Sequence, residues 1–285
     1  MRAGSEEHLH LLCREFIDTH QAFEPAELAW PDLDDAGVAK LRALPFWDEA
    51  IRTERRTGAK VCAYAAEESP PLLREAVALQ GYEETRHAKL LETLIARYRI
   101  SVDPGPESPL PRNLEWAFTR TGYGECIDSF FAFGLFAMAR DAEFLPHALL
   151  DLLEPIVQEE VRHILFLVNW VAYKRRQRPA PARLVHRARC LAAFAGAAYD
   201  RARSARNVAS GASGPKEGFT ATGAGAIGGD FSLRGFVERC LAENTRRFAA
   251  YDPRLLRPRV VPALARTYLK ITGWRSTTPS VAQTA

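Results

Sequence analysis

The sequence predicts an all-α protein, a four-helix bundle with one long crossover and helical extensions at both ends. Three observations carry that expectation. Apolar residues recur at helical spacing, and no strand-type alternation persists anywhere. Two pentapeptides share one pattern, Glu83-Glu84-Thr85-Arg86-His87 and Glu159-Glu160-Val161-Arg162-His163. Between them lies a Pro-rich stretch, residues 100–112, that is long enough to run the length of a helix.

The elements follow in order. Residues 5–22 and 33–44 read as short helices of an N-terminal extension, 1–45. The bundle proper, 46–176, opens with a helix from about Phe46 to Glu68. Ser69-Pro70-Pro71 stops it and starts the next, which continues to about Arg99. The connector 100–112 then covers roughly 40 Å if extended. A 28-residue helix is about 42 Å long, so the next helix can start parallel to the last. Further helices span about 112–140 and 148–176. The C-terminal region, 177–285, holds an Arg- and Ala-rich amphipathic helix (182–205). A Gly-rich loop follows at about 207–230, expected to be flexible, then helices at 232–250 and 259–272, and a frayed tail of ten residues.

Composition narrows the function classes. The chain has 285 residues, 47% of them hydrophobic and 26% charged, enough for a full core. A formal net charge of +3 does not call for nucleic acid. The five cysteines are scattered with no Cys-x-x-Cys pair, which argues against a disulfide scaffold or a zinc site. The expected setting is a reducing cytoplasm. The N-terminus is polar and acidic, with no apolar signal region, and the longest apolar run (130–139) is too short for a membrane span.

Glu-x-x-His places a carboxylate and an imidazole one helical turn apart on one face. Two copies of the longer Glu-Glu-x-Arg-His pattern arise by chance in roughly one chain in tens of thousands. The plainer reading is a pair of solvated helix faces with local ion pairs. Against it, both copies sit in strongly apolar segments, where unpaired carboxylates are costly. A dinuclear site in a bundle takes Glu-x-x-His from two helices and one Glu from each of the other two. The motifs supply Glu84/His87 and Glu160/His163. If the turn at Ser69 is a mirror, Glu54 and Glu84 stand 15 residues to either side and meet at one level. The rival, Glu49, lies about 7 Å further along the axis. On the third helix Glu125, beside Gly122 and Gly124, is the first choice and Asp128 the alternative. Two divalent cations balance four carboxylates, and oxygen with imidazole donors suits iron or manganese. Glu83, Arg86, Glu159 and Arg162 read as a second layer, with the two outer carboxylates accepting protons from ligand imidazoles.

This arrangement resembles the ferritin-like di-iron carboxylate superfamily. The Glu-Glu-x-Arg-His form is similar to the Asp-Glu-x-Arg-His motifs of bacterial multicomponent monooxygenases, and resembles the Glu-x-x-His motifs of rubrerythrin. The resemblance covers about residues 46–175 and six positions: Glu54, Glu84, His87, Glu125, Glu160 and His163. It implies that Glu84 and Glu160 bridge or chelate two Fe ions, with Mn/Fe as the other option, and that His87 and His163 each ligate one. It implies an O2-dependent oxidase or oxygenase acting on a small organic substrate. An external electron donor such as a ferredoxin or reductase would be its partner, and a homodimer is left open. The chain departs from the monooxygenases in having Glu for the outer Asp, and from rubrerythrin in lacking a Cys-rich domain. The same six residues fit a ferroxidase or peroxide-detoxifying protein, and a metal-free helical scaffold is the third reading.

Other signals are weaker. Gly223-Ala-Gly225-Ala-Ile-Gly228 fits a dinucleotide fingerprint but follows no strand. Basic residues from Lys174 to Arg189 read as a helix end and a solvated face. Cys126, Tyr82, Tyr123 and the run Phe130, Phe131, Phe133 and Phe136 read mainly as packing, with some of them walling a substrate cavity as the sharper reading. His8, His10 and His20 read as surface residues.

Overall fold

The computed structural model describes residues 1–103, 105–210 and 232–276. Among them every regular element is helical and none is a strand. The elements are α1 (Glu6–Asp18), a 3-10 turn (Pro25–Glu27), α2 (Asp35–Ala43), α3 (Trp47–Ala65), α4 (Pro71–Arg97) and α5 (Leu114–Asp141). They continue with α6 (His147–Gln177), α7 (Ala180–Ser210), α8 (Leu233–Phe248) and α9 (Val260–Ser276). Local chemistry sets several starts. Ser5, Asp34, Asn113 and Ser232 each cap a helix by accepting from a backbone N–H three residues on. Pro71 opens α4, where its missing N–H costs nothing.

Four helices surround the motifs, and aromatic contacts give their directions. At one end Tyr64 of α3 stacks on Phe118 of α5, and Trp170 of α6 meets both edge-on. At the other, Trp47 of α3 packs in one cluster with Leu94 and Tyr98 at the end of α4 and Leu149 at the start of α6. So α3 and α6 run one way and α4 and α5 the other. The segment between α4 and α5 carries the chain back along the whole assembly: Asp103 N–H donates to Asp48 at the start of α3, while Glu115 pairs with Arg178 beyond the end of α6. This is the crossover that the connector's length predicts.

Close approach of α3 and α4 depends on two glycines. A Cβ at Gly81 would lie 2.8 Å from the Cys62 backbone nitrogen, and one at Gly58 3.1 Å from that of Thr85. The extensions cover the assembly. α1 packs on α4 and α6, α7 and α8 lie across α5, and α9 packs on α8.

The first helix is shorter than expected, ending at Asp18 instead of near residue 22. The backbone beyond it is needed elsewhere, since Gln21 O accepts from Arg86. α7 extends to residue 210, so the predicted Gly-rich loop falls almost wholly outside the described residues, with Gly223 to Gly228 and the tail from 277. No helix among the described residues is long and apolar enough to cross a membrane.

Candidate metal centre

α4 and α6 cross antiparallel at their two motifs, and α3 and α5 bring one carboxylate each to the same level. Glu54, Glu84, His87 and Glu160 place ligand atoms within 4.8 Å of one another, a group that could hold a metal ion. His87 Nδ1 lies 3.3 Å from Glu160 Oε1 and 3.7 Å from Glu54 Oε2. His163 Nδ1 lies 2.9 Å from Glu84 Oε1 and 3.8 Å from the same Glu160 oxygen. Glu84 and Glu160 thus stand between the two imidazoles, whose ring centres are 5.7 Å apart. Glu125 joins them electrostatically, its charge opposed by Glu84, Glu160 and Glu54.

The inner atoms are unsatisfied. His87 Nδ1, His163 Nδ1, Glu84 Oε1 and Glu125 Oε2 are buried without an aligned hydrogen-bond partner. The outer atoms are fully engaged, and the pairing runs across the assembly. His87 Nε2 lies 2.8 Å from Glu159 Oε2, and His163 Nε2 lies 2.9 Å from Glu83 Oε2. Arg86 also donates to Glu159, and Arg162 Nη1 donates to Glu83 at 2.9 Å. With Nε2–H donating outward, each neutral imidazole turns its Nδ1 lone pair inward. A metal-ligating histidine is held in this way.

α1 and the segment after it close this outer layer. Phe16 O and Gln21 O accept from Arg162 and Arg86. The rings of Phe16 and Phe23 lie against the same two guanidiniums. His20, expected at the surface, sits 2.5 Å from Glu83 Oε1, and His8 is fully buried against Asn169 at 2.8 Å. The amphipathic pattern of α1 carried that signal for His8, which lies on its apolar face with Leu12 and Phe16. His10 is exposed as expected.

Charge divides along the same line. Burial alone would raise Glu83, but its bond to His163 with Arg162 and His20 brings it down to about 2. Burial likewise opposes ionisation of Glu159, and His87 overrules it downward. Inside, burial pushes Glu54 up to about 8 and, with the neighbouring carboxylates, Glu125 well above the usual range. Burial would lower both imidazoles, yet the surrounding carboxylates raise His87 and His163 well above 6.5. Without a metal, protons must balance this cluster; cations would displace them.

The alternatives are engaged elsewhere. Glu49 accepts from Arg52 and Thr53, and Asp128 is held by Arg201 in a two-pronged pair. Cys126 is buried, and burial with Glu125 beside it pushes its thiol up. Much of the basic stretch is used internally: Lys174 pairs with Glu68, Arg178 with Glu115, and Arg189 lies over Trp116.

A cavity of about 620 Å³ lies between α3, α5 and α6, with Glu54, Glu84, Glu125 and Glu160 in its wall. Glu54 and Glu160 expose about a fifth of their side chains, 19% and 20%, and both face this space. Phe133 and Phe136 line it, whereas Phe131 stacks on Phe236 of α8. Tyr123 packs on Phe194, and Tyr82 is exposed. Comparison with protein-family models, curated proteins and solved structures finds no match to this chain.

Proposed function

We propose that this chain is a ferritin-like dinuclear iron oxidase or oxygenase that oxidises a small organic molecule held in the cavity. One observation carries the reading. Two imidazole nitrogens and two carboxylate oxygens converge, buried and unsatisfied, at the centre of four carboxylates and two histidines. Left alone, such atoms cost roughly 1–3 kcal/mol each. Two divalent cations would satisfy them and balance the four carboxylates. The donor set has no thiolate, which favours iron or manganese over zinc or copper. The crossover between α4 and α5, with α3 antiparallel to α4, supports the ferritin-like topology.

The residues divide the work. Glu54 and His87 would hold one metal and Glu125 and His163 the other, with Glu84 and Glu160 shared. When bound, iron supplies the redox chemistry that reduces O2, with electrons from a separate donor protein. Glu159 and Glu83 hold each imidazole with Nδ1 inward. The two imidazoles, with Arg162 and Arg86 beside them, hold those outer carboxylates ionised. Phe133 and Val157 form apolar cavity wall beside the carboxylates and limit water there.

A cavity of this size, within the range of small-molecule sites, favours an organic substrate over iron storage. Iron reconstitution tests the reading. Elemental analysis should give about two irons per chain, and the reduced protein should consume O2 faster with a bound organic substrate. Absence of metal after reconstitution would sink the proposal. Iron-dependent O2 consumption in a many-subunit cage would favour iron handling instead.

A further inference from the structure

The cavity is polarised along its length. Towards the start of α5 it is lined by Arg56, Lys60, Arg120 and Arg201. Arg120 pairs with Asp200 and Arg201 with Asp128. Arg56 has no ion pair among the described residues, and its Nε is buried without a hydrogen-bond partner. Lys60 Nζ, one turn further along α3, reaches Thr121 Oγ1 at 2.9 Å. This end meets solvent: the Arg120 side chain is 44% exposed. The other end is mostly apolar, walled by Trp47, Phe133, Phe136, Leu145 and Leu150, most of them buried, with Glu49 held by Arg52. The carboxylate cluster lies between. From Glu125 the helix rises about 8 Å to Arg120 in one direction and about 16 Å to Phe136 in the other.

We infer that the cavity takes an aliphatic carboxylic acid, its carboxylate held at the mouth by Arg56 and its hydrocarbon chain laid past the carboxylate cluster towards the apolar end. An amine would meet like charge at the mouth. A neutral alcohol would leave the Arg56 guanidinium uncompensated, and a polar chain would lose hydration against the aromatic wall without replacement. A guanidinium matches a carboxylate, because an arginine fork takes both oxygens. Calling this acid a substrate rests on the oxidase reading; its binding does not.

Calorimetric titration of the full-length, iron-reconstituted protein with decanoate, decanol and decylamine tests the inference. Decanoate should bind at least roughly tenfold more tightly than either, the worth of one charge-assisted contact. Hexanoate should bind more weakly than decanoate. Arg56→Gln should lower decanoate affinity roughly tenfold and leave decanol unchanged. Equal affinity for acid and alcohol would overturn the inference. So would acid selectivity that survives Arg56→Gln and vanishes on iron removal, since the carboxylate would then sit on the metals. Elemental analysis of the same samples separates the two readings: selective acid binding without iron would retain this inference and remove the oxidase.

Discussion

Two buried glutamates, Glu68 at the α3–α4 turn and Glu84 midway along α4, are both well removed from water, yet their surroundings differ. Glu68 has every oxygen accounted for. Tyr64 and Trp170 donate to Oε2, each at 2.7 Å, and Lys174 and the Ser69 backbone N–H donate to Oε1 at 2.6 and 3.0 Å. Glu84, sixteen residues on, has an orphaned Oε1 facing an orphaned imidazole nitrogen. Burial of a carboxylate is therefore not the mark of a metal site in this chain. The mark is burial with nothing left to accept from, beside other atoms in the same condition.

The comparison breaks most sharply by substitution. Glu84→Ala and His163→Ala should abolish dinuclear metal binding while leaving the helices folded, since each also removes an unsatisfied atom. Glu68→Ala should do the reverse. It strands Lys174 and three neutral donors, at about 3 kcal/mol, the low end for a broken buried pair because Lys174 is partly exposed. Elemental analysis and chemical denaturation on the three variants check both halves. Full metal content in Glu84→Ala would remove the distinction.

The outer carboxylates sharpen it further. Glu83→Gln and Glu159→Gln keep shape but remove the charge that orients an imidazole across the assembly. Metal affinity should fall about 10–100-fold, measured by competition with a chelator. If the two substitutions act through the opposite motif's histidine, Glu83→Gln with His163→Ala should cost no more than His163→Ala alone.

Much of this was legible in the chain, and the parts that were not have physical causes. Motif spacing determines which residues share a helix face, and the tight turn at Ser69 determines which level of α3 faces which level of α4. Those two constraints single out Glu54, and the structure brings it to the group. Choosing Glu125 over Asp128 was open because the partner that engages Asp128, Arg201, lies 73 residues away on a helix whose packing the sequence does not reveal. His20 was invisible for a similar reason. It follows the end of α1, where no periodicity reports its direction, and only tertiary docking carries it to Glu83. Periodicity did place His8 on the apolar face of α1, but its polar partner Asn169 is a long-range contact.

Proton balance gives a gentler perturbation. In the metal-free state Glu54, Glu125, His87 and His163 all hold protons more tightly than free side chains, with Glu54 titrating near 8. Metal binding must displace protons wherever these groups are protonated, so affinity should rise with pH from about 6 to 8. The slope is about tenfold per unit for each proton released. Titrations in two buffers of different ionisation enthalpy measure the number released. A pH-independent affinity would mean that the cluster is already deprotonated and that its charge is balanced some other way.

The smallest expected effect lies within α5, where two acids one turn apart face different neighbours. Asp128 lines the cavity but is held by Arg201, both side chains being partly exposed. Asp128→Asn should leave metal content unchanged and cost less than about 1 kcal/mol, the usual limit for a partly solvated pair. Glu125→Gln is equally conservative in shape, yet an amide in place of that carboxylate should weaken metal binding strongly. It supplies no charge and turns an N–H₂ towards cations when its oxygen turns away. If elemental analysis found the loss in Asp128→Asn instead, the α5 ligand would be the residue now paired with Arg201, and metal binding would have to release α7 from that contact.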